Sequence, residues 1–151
     1  MSFELPRHSL DEYDGSSGTL VDSNIWIDCM KSDSPWHGWA VEQLQACGER
    51  GPLHINVVVL TELLAPKLDE DTLNELFDIY STQRSDLPWS CAALTANAYR
   101  LYRQRGGAKT APLPDFYIGA HAAVSNLTVL SRDAKPYKSY FKSLAVIAPL
   151  V

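Results

Sequence analysis

The chain has 151 residues, 46% hydrophobic and 21% charged. That balance fits one domain with its own core and excludes a disordered or fibrous chain. A net charge of −5 argues against bulk attraction to nucleic acid, though it leaves room for a local basic groove, and no apolar run approaches the ~18 residues of a membrane span.

The charge is unevenly distributed. Residues 1–75 hold 4 Lys/Arg against 14 Asp/Glu, and residues 76–151 hold 9 against 4. One face can therefore be basic while another collects carboxylates. Cys29, Cys47 and Cys91 are odd in number, widely spaced and without a CxxC pair. They read as reduced thiols of a cytoplasmic protein, not as a disulfide frame or zinc site. The opening MSFELPRHSL lacks a basic start followed by an apolar stretch, so a secretory leader is not expected.

Residues 1–18 read as a polar N-terminal arm ending in Gly/Ser, ahead of a single domain over 19–151. TLVD reads as a short buried strand and SNIWIDCMK as the start of a helix. Ser34-Pro35 predicts a capped start for the next helix, which runs to Gly51-Pro52. LHINVVV is an unbroken β-branched run, as expected for a strand covered on both faces. LTELLAPKL turns helical and is broken at Pro66, and DEDTLNELFDIY places acids in a helical first turn. DLPWS is expected to hold a very short strand. CAALTANAYRLYRQRG is a helix closed by Gly106-Gly107, and PLPDFYIGAHAAVSN starts another. LTVLSRD, PYKSYF and LAVIAPL read as strand, helical turn and final strand. Strands alternating with helices predict an α/β fold, a three-layer α/β/α sandwich with a mainly parallel sheet.

Functional groups of open parallel sheets gather beyond the carboxyl ends of the strands. Asp22 ends the first strand, Glu62 lies in the expected first turn after VVV, Asp115 opens the helix DFYIGAHAAV, and Asp133 ends the strand LTVLS. Four carboxylates converging in one crevice raise each other's pKa and require protons or a cation. A hard divalent ion with oxygen ligands is the natural partner, and it suits hydrolysis of a phosphate ester.

TLVDSNIWID, VVVLTELL, LPDFYIGAHAAV and LTVLSRD…YFKSLAVIAP together resemble successive motifs of the PIN-domain nucleases, most of all the VapC-type toxins of toxin–antitoxin pairs. The likeness runs from Thr19 to Pro149. It implies that Asp22, Glu62, Asp115 and Asp133 bind Mg²⁺ or Mn²⁺ and support endoribonuclease cleavage of single-stranded RNA. It also implies that Asn24 helps hold the first aspartate and that Ser131 supplies a hydroxyl beside the last acid, where threonine is commoner. A homodimer and a small antitoxin partner are implied as well. The arm departs from most relatives.

Each of these residues also has a plain structural reading. Asp22 and Asp115 suit helix caps, Glu62 suits a helix dipole and Asp133 a turn. Asp28, Asp33, Asp69, Glu70 and Asp71 are expected on the surface. Arg132 is expected either at an RNA phosphate or paired with an acid. Arg100, Arg103, Arg105 and Lys109 read as a solvated helix end in preference to an RNA track, His121 as a core or boundary residue, and Trp26, Trp36 and Trp39 as packing anchors, with an apolar partner surface as their alternative. A haloacid-dehalogenase-type phosphatase wants a second Asp where Asn24 stands. A response regulator wants paired early acids and a late lysine. The rival from another class is a catalytically silent PIN-like module that holds a protein or RNA partner.

Overall fold

A computed structural model describes residues 17–108 and 113–150. The expected arm therefore lies outside the described residues, apart from its last two positions, and so does Lys109. Three strands of three residues build the middle of the sheet: β1 (Thr19–Val21), β2 (Leu53–Ile55) and β4 (Thr128–Leu130). Two-residue strands β3 (Gln83–Arg84) and β5 (Val146–Ile147) form its edges. The order is β3-β2-β1-β4-β5 with every pairing parallel. Strands this short hold together because β1 and β4 are buried along their whole length, with helices packed above and below.

Seven helices among the described residues flank the sheet, giving the expected α/β/α sandwich. They are α1 (Ser23–Met30), α2 (His37–Arg50), α3 (Val57–Leu64), α4 (Glu70–Ile79), α5 (Cys91–Gln104), α6 (Leu113–Ser125) and α7 (Lys135–Tyr140). The larger core gathers Leu20, Ile25, Leu44, Ile55 and Leu63 around Trp26. The Trp26 indole meets Phe77 edge-on, with ring centroids 5.0 Å apart. A second cluster joins α5, α6 and α7 through Cys91, Ala98, Phe116, Ala120 and Phe141. Gly119 is required here, because a Cβ would come within 2.5 Å of the Phe141 ring.

Several expectations are corrected. The run LHINVVV is not one strand: β2 stops at Ile55 and Val57 begins α3. Asn56 decides the change, since its side chain accepts the Val59 N–H at 2.9 Å and caps the helix over the β preference of three valines. The same amide donates from Nδ2 to His121 Nδ1 at 2.9 Å, and both residues are buried. The Asn56 cap fixes which way the amide points, so His121 accepts at Nδ1 and carries its proton on Nε2. Glu62 consequently sits in the second turn of α3, not the first. Ser34 does not cap α2, which starts at His37. Its hydroxyl instead accepts the Trp36 N–H at 3.1 Å and donates to Asp28. DLPWS holds no strand; the edge strand is Gln83–Arg84, paired to β2.

Candidate active site

With all strands parallel, Val21, Ile55 and Leu130 end on the same edge of the sheet, and the chain leaves each into a functional segment. Asp22 follows β1 directly and caps α1, its Oδ1 accepting the Ser23 N–H at 2.7 Å. The capping reading and the site reading therefore describe one residue. Its Oδ2 accepts the Ser131 hydroxyl at 2.8 Å and the Tyr137 hydroxyl at 2.6 Å. A carboxylate only 4% exposed is thus fixed in orientation by α1, the β4 loop and α7.

Ser131 and Asn24 support this arrangement. Having given its single proton to Asp22, Ser131 Oγ accepts from Asn24 Nδ2 and from the Asp133 N–H, both at 3.1 Å. Asn24 Oδ1 accepts the Arg132 N–H at 3.0 Å. The segment 131–133 is thereby tied to α1, which sets the direction of Asp133. Asp133 is exposed, lies three residues past β4, and accepts the Lys135 N–H at 3.2 Å.

Glu62 reaches the same edge from α3 and accepts the Ser23 hydroxyl at 3.4 Å. Burial pushes its carboxyl above the usual range, the charge of Asp22 adds to this, and Ser23 partly offsets both. Asp115 is the third residue of α6 and not its cap. Helix α6 runs back along the sheet before feeding β4, so its first turn lies at the carboxyl ends of the strands. Burial drives the Asp115 carboxyl from 3.8 up to about 7, with further push from Asp22, Glu62 and Asp133, against a smaller pull from the Tyr137 hydroxyl. Asp22, Glu62 and Asp133, separated in sequence, thus all lie within electrostatic reach of Asp115.

A hard cation fits this donor set by chemistry: four carboxylates, two of them held above their ordinary pKa by burial and mutual charge. Among the described residues, no three acids, histidines or cysteines already stand close enough to hold an ion. The two observations describe a loose acidic cluster, not a closed protein shell. A loose cluster suits Mg²⁺, which binds through one or two carboxylates and keeps several waters. A separate cavity of about 220 Å³, lined by Ile55, Val57, Leu60 and Leu87 among others, contains none of the four acids.

One residue lies elsewhere than expected. Asp28 is not on the surface; it is 4% exposed and paired with Arg132, with Nη1 2.9 Å from Oδ2 and 3.1 Å from Oδ1. Of the two readings for Arg132, the structure has the acid pair, and the guanidinium also lies 6.0 Å from the Trp36 ring centroid. Tyr137 was not anticipated as a site residue, since PYKSYF reads only as a helical turn. Its position four residues after Asp133 is the one signal in the sequence.

The sequence profile described as PIN domain matches residues 19–142. Among solved structures, the chain resembles VapBC2 from Rickettsia felis bound to a promoter DNA fragment (TM-score 0.66, 17% identity, covering 86% of this chain and 97% of that one). It also resembles FitAcB from Neisseria gonorrhoeae (0.64, 21%, 87% and 97%). A third likeness is to Mycobacterium tuberculosis VapC20, a sarcin-ricin loop cleaving toxin (0.58, 16%, 87% and 100%). At these identities the likeness is one of fold. No curated protein matches the sequence. The profile begins at the first residue of β1 and ends just past α7, so it takes in every element that contributes an acid to the cluster, and the chain belongs to the PIN domain family.

Proposed function

We propose that this chain is a metal-dependent endoribonuclease and the toxin of a VapBC-type pair, working in the cytoplasm as a homodimer restrained by a small antitoxin. The observation that carries the catalytic part is the buried Asp22 carboxylate at the end of β1, held by Ser131 and Tyr137 and sharing the Ser23 hydroxyl with Glu62; the raised Asp115 carboxyl agrees with it. The toxin–antitoxin part rests on family membership and on the VapBC and FitAB assemblies among the similar folds.

Asp22, Glu62, Asp115 and Asp133 would hold one or two Mg²⁺ or Mn²⁺ ions, directly or through waters. When bound, such an ion polarises a phosphoryl oxygen and lowers the pKa of a water molecule. Tyr137 and Ser131 keep Asp22 in one rotamer, so one carboxylate is oriented before substrate arrives. Asp115, its carboxyl raised to about 7 by burial and by Asp22, Glu62 and Asp133, would bind such an ion in its deprotonated form, so ion binding would be coupled to proton release there. One of the four carboxylates also orients the attacking water. The water oxygen bonds to phosphorus in line with O3′, the P–O3′ bond breaks, and a proton reaches O3′. The products are a 5′-phosphate and a 3′-hydroxyl.

The test is Mn²⁺ calorimetry and RNA cleavage on the same samples of wild type, Asp22→Asn and Asp115→Asn. Metal binding and cleavage are expected to fall together. Full Mg²⁺-dependent cleavage by Asp22→Asn would remove the assignment. The rival reading is a silent PIN-like binding module. Metal binding with no cleavage of any RNA would select it.

A further inference from the structure

Helix α7 has two unlike faces. Tyr137 is fully buried and reaches inward to Asp22, while Lys135, Lys138 and Lys142, the last just beyond the helix end, are exposed. Lys135 and Lys138, three residues apart, share one side of the helix, and Lys142 follows two residues past its end. Lys135 begins the helix directly beside the acidic cluster, since its N–H binds the Asp133 carboxylate. Among the described residues none of these lysines has a carboxylate partner; the ion pair present is Arg132 with Asp28. The end of α5 joins the same side: Arg105 donates to the Ser139 carbonyl at 3.0 Å and lies over the Tyr140 ring.

The charge pattern points the same way. Residues 100–142 contain eight Lys/Arg and two acids, and those two are Asp115 and Asp133 of the cluster. Residues 1–75 carry a net charge of −10, from 4 Lys/Arg against 14 Asp/Glu. A polyanion is drawn to the cations of residues 100–142, where acids occur only at the cluster itself.

We propose that Lys135, Lys138 and Lys142, with Arg105, form the track that binds the phosphate backbone of single-stranded RNA and leads it along α7 to the acidic cluster. This rests on the nuclease reading above and adds the direction of approach. The track is independent of base identity, because ammonium groups on an exposed helix meet phosphates and not base edges. Arg132, committed to Asp28 and Trp36, has the different task of holding the 131–133 segment.

The experiment measures fluorescence anisotropy of a labelled, unstructured oligoribonucleotide across a salt series in EDTA, with cleavage assayed separately in Mn²⁺. Wild type is compared with Lys135→Gln/Lys138→Gln/Lys142→Gln and with Lys31→Gln/Lys67→Gln/Arg84→Gln, which removes the same charge elsewhere. The track variant should lose about 2 from the slope of log K against log salt, at roughly 0.7 per single-strand phosphate contact. The second triple should keep the wild-type slope. If wild type cleaves RNA and the track variant keeps the full slope, or if both triples lose equally, the track is wrong and the nuclease reading stands. If wild type neither binds nor cleaves RNA, both fall.

Discussion

Asp115→Asn should make the metal-free protein more stable while destroying its response to divalent ions. The carboxyl rises from 3.8 to about 7 on folding, so folding favours its protonated form. A carboxylate shifted upward stabilises fully below its unfolded pKa, and that contribution is lost as pH rises through the folded value. The gap from 3.8 to about 7 corresponds to roughly 4 kcal/mol at ~1.4 kcal/mol per tenfold. Asp115 is only partly buried, and solvent screening reduces this to about 2 kcal/mol. For a chain of this length, that is a rise in Tm of about 4–8 °C. Thermal melts in EDTA of wild type and Asp115→Asn at about pH 5 and about pH 8 provide the assay, since most of the penalty develops between those values. The variant's advantage at the lower pH should be roughly a third of its value at the higher. Added Mn²⁺ should then raise the wild-type Tm and leave the variant nearly unchanged. An equal Tm difference at both pH values, or a variant less stable than wild type at pH 8, would refute the picture of crowded carboxylates.

Three further outcomes follow from the geometry. Tyr137→Phe removes the buried hydroxyl on Asp22 and should cost about 1.5–3 kcal/mol in urea unfolding; a loss under ~0.5 kcal/mol would mean that bond is not formed in solution. Gly119→Ala pushes a methyl group into the buried Phe141 ring, with an expected loss of about 1–3 kcal/mol, and a neutral effect would show that Phe141 has room to yield. Arg132→Ala leaves the buried Asp28 carboxylate with Ser34 as its remaining side-chain donor. It should destabilise by about 2 kcal/mol, well above the range of ordinary exposed ion pairs, and chemical denaturation giving a surface-like value would return Asp28 to the solvated role its position in the sequence suggests.

The alternation of apolar strands and amphipathic helices made the layered parallel fold legible, because period and punctuation are local properties of the chain. The four acids were legible for a related reason: in a parallel sheet the carboxyl ends share one edge, so strand order alone brings Asp22 and Asp133 together. Local preference misled at VVV, where β-branching argues for a strand and a single amide, Asn56, caps a helix instead. It misled again at Asp28, because a carboxylate on a short helix looks solvated until Arg132, 104 residues later, is folded against it. Tyr137 belongs to the same class, since its hydroxyl has a purpose only once α7 lies beside Asp22. Composition and spacing thus determined which elements form and which acids stand at their ends. Which polar groups orient those acids was left to tertiary packing, because a hydrogen bond between distant residues depends on where whole elements come to rest.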